Sequence, residues 1–150
     1  MSETVTLTAS DGHTLSAYRA GDGPGLVVVQ EIFGVNSHIR NVVDRFAAAG
    51  FAAIAPALFD RLEPGHELGY TPDDVAAGRD LRGKVDNADA LKDIAAARDL
   101  LAGEGRKVGV VGYCWGGSLA WHCATQLSGF DAAVGYYGGE IPKSKDAQPT

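Results

Sequence analysis

The run Lys107-Val108-Gly109-Val110-Val111-Gly112-Tyr113-Cys114-Trp115-Gly116-Gly117 constrains the fold of this chain more than any other feature. An apolar strand leads straight into Gly-x-Cys-x-Gly, and the sequence beyond it is helical in pattern. That is a strand-turn-helix junction of the nucleophile-elbow kind, with cysteine in the place of serine. The central residue of such a turn takes a strained, positive φ, and the positions two before and two after it must be small for strand and helix to approach. Gly112 and Gly116 meet that need. A sulfur at the first turn of a helix also sits at the positive end of the helix dipole, which favours thiolate, the nucleophilic form. The competing reading is a structural cysteine in a glycine-rich turn, since free cysteine is commonly a core residue.

An elbow needs a parallel sheet around it, and the remaining sequence supplies alternating strand and helix signals. Thr4 to Thr8 and Thr14 to Arg19 flank Ser10-Asp11-Gly12-His13, an Asp-Gly hairpin turn, and are expected to be antiparallel edge strands. Leu26 to Gln30 is a continuous apolar run, the mark of a strand covered on both faces. Asn36 or Ser37 can cap a helix carrying Ile39, Val42, Val43, Phe46 and Ala47, which Gly50 ends. Phe51 to Ala57 is the next strand. An irregular stretch from Leu58 to Tyr70 precedes Thr71-Pro72-Asp73-Asp74, which has a cap, a proline at the first helical position and acidic residues in the first turn. This helix runs to about Gly83. Another spans Asn87 to Ala102 with Ala88, Leu91, Ala95 and Leu101 inward. Val108 to Tyr113 is the elbow strand, Trp115 to Leu127 its helix and Ala132 to Tyr137 a further strand. The fold class is α/β, a doubly wound, mostly parallel sheet.

The 150 residues fit a single domain, with no repeat or linker to divide them. A net charge of -6 with scattered Lys and Arg leaves no basic stripe to neutralise phosphates, so nucleic acid is not an expected partner. No basic-then-apolar leader opens the chain, and no apolar run approaches the roughly 20 residues of a membrane span. A cytoplasmic protein with no membrane partner is expected. Cys114 and Cys123 lie on one predicted helix, about 13 Å apart along its axis, beyond disulfide reach. Both are expected as free thiols, Cys123 as packing.

Ligands in such sheets sit outside the carboxyl ends of the strands. Two segments qualify: the elbow, and Gln30-Glu31-Ile32-Phe33-Gly34-Val35-Asn36. Glu31 falls where a carboxylate needs a partner or a cleft to face. Its plain alternative is an acidic residue favoured by the N-terminal end of the next helix.

Gln30-Glu31-Ile32-Phe33-Gly34-Val35-Asn36, then Gly50-Phe51, Ala55-Pro56-Ala57-Leu58, Gly112-Tyr113-Cys114 and Val134-Gly135-Tyr136-Tyr137-Gly138, in order and suitably spaced, resemble the dienelactone hydrolases (carboxymethylenebutenolidases). The resemblance spans nearly the whole chain and implies an α/β-hydrolase fold. It implies that Cys114 attacks a lactone or ester carbonyl to form an acyl-enzyme, and that Glu31 contacts the resting thiol and controls its ionisation. The backbone amides of Ile32 and Trp115 would form the oxyanion hole, in keeping with the rule that the residue after the nucleophile supplies one donor. A leucine commonly follows the nucleophile in this family, so Trp115 implies a narrowed or reshaped pocket. The implied substrate is a lactone bearing a carboxylate. Arg79 is its expected anion partner, since guanidinium binds carboxylate bidentately; Arg82 and a merely solvated Arg79 are the alternatives. No cofactor is implied.

The family order is nucleophile, acid, histidine, with the last two beyond the strand at Ala132 to Tyr137. After Cys114 the sequence holds only His122, on the same helix and about 12 Å along its axis. His13 is in the hairpin turn, His66 in the irregular stretch, and His38 just after the Glu31 segment. Asp131 precedes its strand, and Asp146 lies in a polar tail. The expectation is therefore the N-terminal portion of an α/β-hydrolase domain, with the acid and histidine strands absent and little activity alone. The edge at Ala132 to Tyr137 would be left open to self-association. A catalytically silent ligand-binding or interaction module on the same fold is the alternative. A dinucleotide domain is disfavoured because Gly109, Gly112 and Gly116 do not give Gly-x-Gly-x-x-Gly. Nor do the adjacent His122 and Cys123, facing different directions on a helix, make a metal pair.

Overall fold

Val27, Val28 and Val29 are fully buried, and their alternating side chains enter two different cores. The computed structural model, which describes residues 2–144, places them on the central strand of a six-stranded sheet. In chain order the strands are β1 (Ser2–Thr8), β2 (Thr14–Ala20), β3 (Gly25–Val29), β4 (Ala52–Pro56), β5 (Val108–Tyr113) and β6 (Ala132–Tyr136). The helices are α1 (Ser37–Ala48), α2 (Pro72–Gly83), α3 (Asn87–Gly103) and α4 (Trp115–Gln126). Across the sheet the order is β1-β2-β4-β3-β5-β6, antiparallel as far as β4 and parallel from there on.

Helix α1 covers one face, where Ile39, Val42 and Val43 meet Val28, Ala53, Ala55 and Val111. On the other face α3 and α4 bring Ile94, Leu101 and Leu119 against Val27, Val29, Ile54 and Val110. Each fully buried valine contributes about 1.5–3 kcal/mol by leaving water. From β3 the chain moves outward to β4, then returns across β3 to β5. The carboxyl ends of β3 and β5 therefore flank the topological switch point, the place where such sheets bind ligands.

Capping follows the sequence signals closely. Asn36 Oδ1 accepts from the Ile39 amide at 3.2 Å and Thr71 Oγ1 from the Asp74 amide at 3.1 Å. Three expectations change. Strand β2 is internal, because Ala17 to Ala20 register against Ala53 to Pro56 of β4 while β1 takes the edge. The buried face of α3 is Ala90, Leu91, Asp93, Ile94, Ala97 and Leu101, with Ala88 exposed and Ala95 half-buried. The phase shifts because Asp93 is turned inward onto Arg61, which bonds both of its oxygens at 3.0 and 2.8 Å. The irregular stretch after β4 begins with a 3-10 turn, Leu58–Arg61, whose Leu58, Phe59 and Asp60 are buried.

All five residues of β6 are exposed, and its outer edge has no strand partner among the described residues. No helix among them is long and apolar enough to cross a membrane. Asp146, weighed above as an acid, lies outside the described residues.

Candidate active site at the strand ends

Cys114 directly follows β5 and caps α4 at φ 59° and ψ -121°, a conformation that residues other than glycine rarely hold. The neighbouring glycines explain why it is held. A β-carbon on Gly112 would lie 1.8 Å from the Gly116 carbonyl oxygen, and one on Gly116 would lie 2.3 and 2.4 Å from the carbonyl oxygens of Val29 and Gln30. One on Gly117 would lie 2.3 Å from the Tyr136 carbonyl oxygen. Strand β5, helix α4 and the ends of β3 and β6 thus converge backbone to backbone at the elbow. The Cys114 amide donates to the Tyr136 carbonyl at 3.0 Å, and the Cys114 carbonyl accepts from the amides of Gly117 and Ser118 at 2.9 and 3.2 Å. The thiol is half-buried at the N-terminal end of α4. Cys123, two turns on, is fully buried, and burial pushes its thiol up to about 12. Both cysteines are free.

Glu31, two residues past the end of β3, is 9% exposed. Tyr70 donates to its Oε1 at 3.0 Å and Tyr137, directly after β6, to its Oε2 at 3.2 Å. The direct contact with the Cys114 thiol that the family resemblance implied is not among the hydrogen bonds of the described residues, where a phenol bonds each carboxylate oxygen. Tyr137 is bonded to Glu31 and lies within the electrostatic reach of Cys114. Its phenol is pushed up to about 12, first by burial, then by the charge of and bond to Glu31, with Cys114 a further contributor.

Gln30 sets the Glu31 backbone. Fully buried, it donates through Nε2 to the Glu31 carbonyl at 3.1 Å and accepts through Oε1 from the Leu58 amide at 2.9 Å. The next residue, Ile32, packs on α2 so closely that a β-carbon on Gly78 would lie 2.4 Å from its carbonyl oxygen. Neither the Ile32 nor the Trp115 amide is engaged by an acceptor among the described residues. The Trp115 amide, first in α4, has no acceptor within its helix.

The Trp115 ring is 4% exposed and belongs to the core. It stacks on Phe59 at 5.6 Å, its Nε1 donates to Asn87 Oδ1 at 3.1 Å, and the Arg82 guanidinium lies 4.9 Å above it. The ring therefore packs beneath the site where a reshaped pocket wall was expected. Arg82 is also paired with Glu140 at 2.6 Å, and Glu140 accepts from Asn87 at 3.0 Å and contacts His122 at 2.9 Å. Arg79, one residue after the buried Gly78, is exposed and enters no ion pair or hydrogen bond among the described residues.

The sequence model of the dienelactone hydrolase family matches residues 12–150. The chain belongs to that family. It is 42% identical over 135 residues to a Synechocystis protein provisionally named carboxymethylenebutenolidase, covering 87% of this chain and 54% of that one. With the Pseudomonas putida carboxymethylenebutenolidase it shares 35% over 163 residues, covering 99% of this chain and 66% of the relative. A crystal structure from Klebsiella pneumoniae, provisionally named a dienelactone hydrolase, superposes with a TM-score of 0.75 at 32% identity, covering 92% of this chain and 60% of that one. The chain thus spans about half the length of several curated relatives it matches, and its fold is that of the α/β hydrolases.

Against this dienelactone hydrolase frame, the elbow and the Glu31 segment were legible as motifs, whereas Gln30, Tyr70 and Tyr137 were not recognised as partners of Glu31. Tyr70 stands 39 positions and Tyr137 106 positions from Glu31, and no local pattern joins them. No histidine bonds Cys114 among the described residues: His122 contacts Glu140 and Gln126, His66 pairs with Glu63, and His38 meets the Tyr70 ring edge-on at 6.3 Å.

Proposed function

We propose that this chain carries the nucleophile portion of a lactone or ester hydrolase that works through an acyl-cysteine. The observation that carries the reading is the backbone of Cys114, held at positive φ on a turn whose glycines cannot be enlarged. Strain of this kind persists only where the surroundings over-determine it, and it presents the sulfur at the open end of the sheet.

In the proposed reaction, the Cys114 thiolate adds to the substrate carbonyl carbon, and the carbonyl oxygen takes the negative charge. The amides of Ile32 and Trp115 are the donors assigned to that oxygen. Collapse of the tetrahedral intermediate expels the ring or ester oxygen, which takes up a proton and leaves the acyl group on sulfur. Water then adds to the thioester and returns the thiolate, releasing the acid. Glu31 is assigned to control the charge of the cleft through its two phenols, and Arg79 to meet a carboxylate on the substrate. Arg82 is unsuited to that second task because Glu140 and the Trp115 ring already engage it. The general acid-base residues that this chemistry needs are assigned to sequence matching the remaining half of the relatives.

One observation favours a second reading, a silent ligand-binding module: no histidine among the described residues bonds Cys114. Acid quench during turnover of an activated ester, followed by mass measurement, separates the two. An acyl adduct mapped to Cys114 and absent from Cys114→Ala supports the hydrolase. Ligand binding without any adduct supports the module.

A further inference from the structure

The segment between the 3-10 turn and α2 returns across the cleft and is fastened there at several points. The Leu68 amide donates to the Phe33 carbonyl at 2.9 Å, and Asn36 Nδ2 donates to the Leu68 carbonyl at 3.1 Å. Arg40 pairs with Glu67 at 2.9 Å, and a β-carbon on Gly34 would lie 2.3 Å from the His66 carbonyl oxygen. These contacts deliver Tyr70 to Glu31. Its ring packs on Phe33 with centroids 4.5 Å apart and meets His38 edge-on, while 54% of the residue remains exposed.

The phenol has a defined polarity. Asn36 spends its Oδ1 on the α1 cap, which leaves Nδ2 to donate to the Tyr70 oxygen at 3.2 Å. With its oxygen engaged as acceptor, Tyr70 directs its own proton to Glu31 Oε1 at 3.0 Å. A helix cap, a phenol and a carboxylate thus form one chain of bonds ending in the cleft. The groups bonded to Glu31 are Tyr70 from this segment and Tyr137 from the end of β6, and the Tyr137 phenol also feels Cys114 at the elbow. Arg40 and Glu67 nearby neutralise each other.

Resting on the hydrolase reading above, we propose that Tyr70 is a positioning residue, whose phenol fixes the Glu31 carboxylate and withholds it from the Cys114 thiol. Released from Tyr70, the carboxylate is freer to turn toward the sulfur, where it stabilises S–H by accepting a hydrogen bond from it and opposes thiolate by its charge. Both effects make the thiol harder to ionise. Asn36 acts one bond further out by aiming the phenol.

The test is the pH dependence of iodoacetamide alkylation at Cys114, with labelling mapped by mass spectrometry and ester turnover measured alongside in a chain extended to the length of its relatives. Tyr70→Phe keeps the ring on Phe33 and removes only the hydroxyl. It is expected to move the alkylation midpoint upward by about one pH unit and to lower kcat about tenfold, with KM and thermal midpoint little changed. In a Glu31→Gln background the same substitution is expected to move nothing, because Tyr70 acts through the carboxylate. A Tyr70→Phe midpoint equal to wild type, or an equal shift in both backgrounds, overturns the proposal. If Glu31→Gln itself leaves alkylation and turnover at wild-type values, the assignment of Glu31 fails, and the role of Tyr70 falls with it. If Glu31→Gln alters them and Tyr70→Phe does not, the hydrolase reading stands and only this proposal is lost.

Discussion

Gly112 lies directly under the carbonyl of Gly116, with space for a hydrogen and none for a methyl group, whose carbon would stand 1.8 Å from that oxygen. The obstruction is backbone, so no rotamer change relieves it. Gly112→Ala must push strand β5 and helix α4 apart and move Cys114 between them. Overpacking of this kind costs typically 1–3 kcal/mol, and here the expected loss is at or above about 3 kcal/mol. Denaturant unfolding of the variant measures it. By contrast, Gly103→Ala, where nothing stands within 4 Å of the new carbon, is expected to leave stability unchanged or slightly improved.

The two thiols differ in burial and in ionisation. Cys123 is fully buried, with its thiol pushed up to about 12, so at pH 8 almost none of it is thiolate. Cys114 is half-buried at a helix N-terminus. Alkylation of the folded protein at pH 8 is expected to label Cys114 and spare Cys123, and both should react in denaturant. Preferential labelling of Cys123 in folded protein would refute the assignment of the reactive thiol.

How much of this was legible beforehand depends on the range of the interaction involved. The elbow, the caps at Asn36 and Thr71 and the buried run of β3 are local patterns, and each appears at its expected place. The partners of Glu31 are not local. Nor is the inward turn of Asp93, which a hydrophobic reading of α3 gives to solvent and which the bonds from Arg61 make tolerable. The ring of Trp115 shows the same limit: its position next to the nucleophile suggested a pocket wall, but Phe59 and Asn87, brought in from other elements, draw it into the core.

Arg61 joins three elements. It bonds both oxygens of Asp93 on α3 and pairs with Asp11 in the hairpin turn at 2.8 Å. Burial pushes the Asp93 carboxyl up, against the pull of Arg61. Removing the cation leaves a fully buried carboxyl without its charge partner, so Arg61→Met is expected to cost about 3 kcal/mol at pH 7. Part of that loss should be recovered in the double variant Arg61→Met/Asp93→Leu, which removes both charges. Urea midpoints of the single and double variants check this, and a double variant no more stable than the single would count against the clasp.

Glu104, just past α3, is bound by Arg19 of β2 through both oxygens at 2.9 Å and by Arg106 at 3.0 Å. The bonds from Arg19, then Arg106, hold its carboxyl down from 4.5 to about 2. Because the folded value lies below the unfolded one, the stabilisation is present above about pH 4.5 and is lost as pH falls toward 2. The carboxylate is partly solvated, so its worth is set at about 1 kcal/mol. Glu104→Gln is expected to be less stable by that amount at pH 7 and equal to wild type near pH 2, as read from urea unfolding at each pH.

The last prediction concerns which part of the family's chemistry these residues hold. His122 is held by Glu140 and Gln126 away from the elbow, His66 is paired with Glu63, His13 is in the hairpin turn, and His38 faces the Tyr70 ring. None of them is bonded to Cys114, and none is oriented by a carboxylate toward it, as a general base would be. Residues 1–150 alone are therefore expected to turn over an activated ester or a dienelactone at least a thousandfold more slowly than a chain extended to the length of its relatives, in line with the cost of a missing triad member. Cys114→Ala in both chains sets the background. Comparable turnover by the two, abolished in each by Cys114→Ala, would mean that residues 1–150 contain the base after all, and His38 and Glu31 would then be the groups to test.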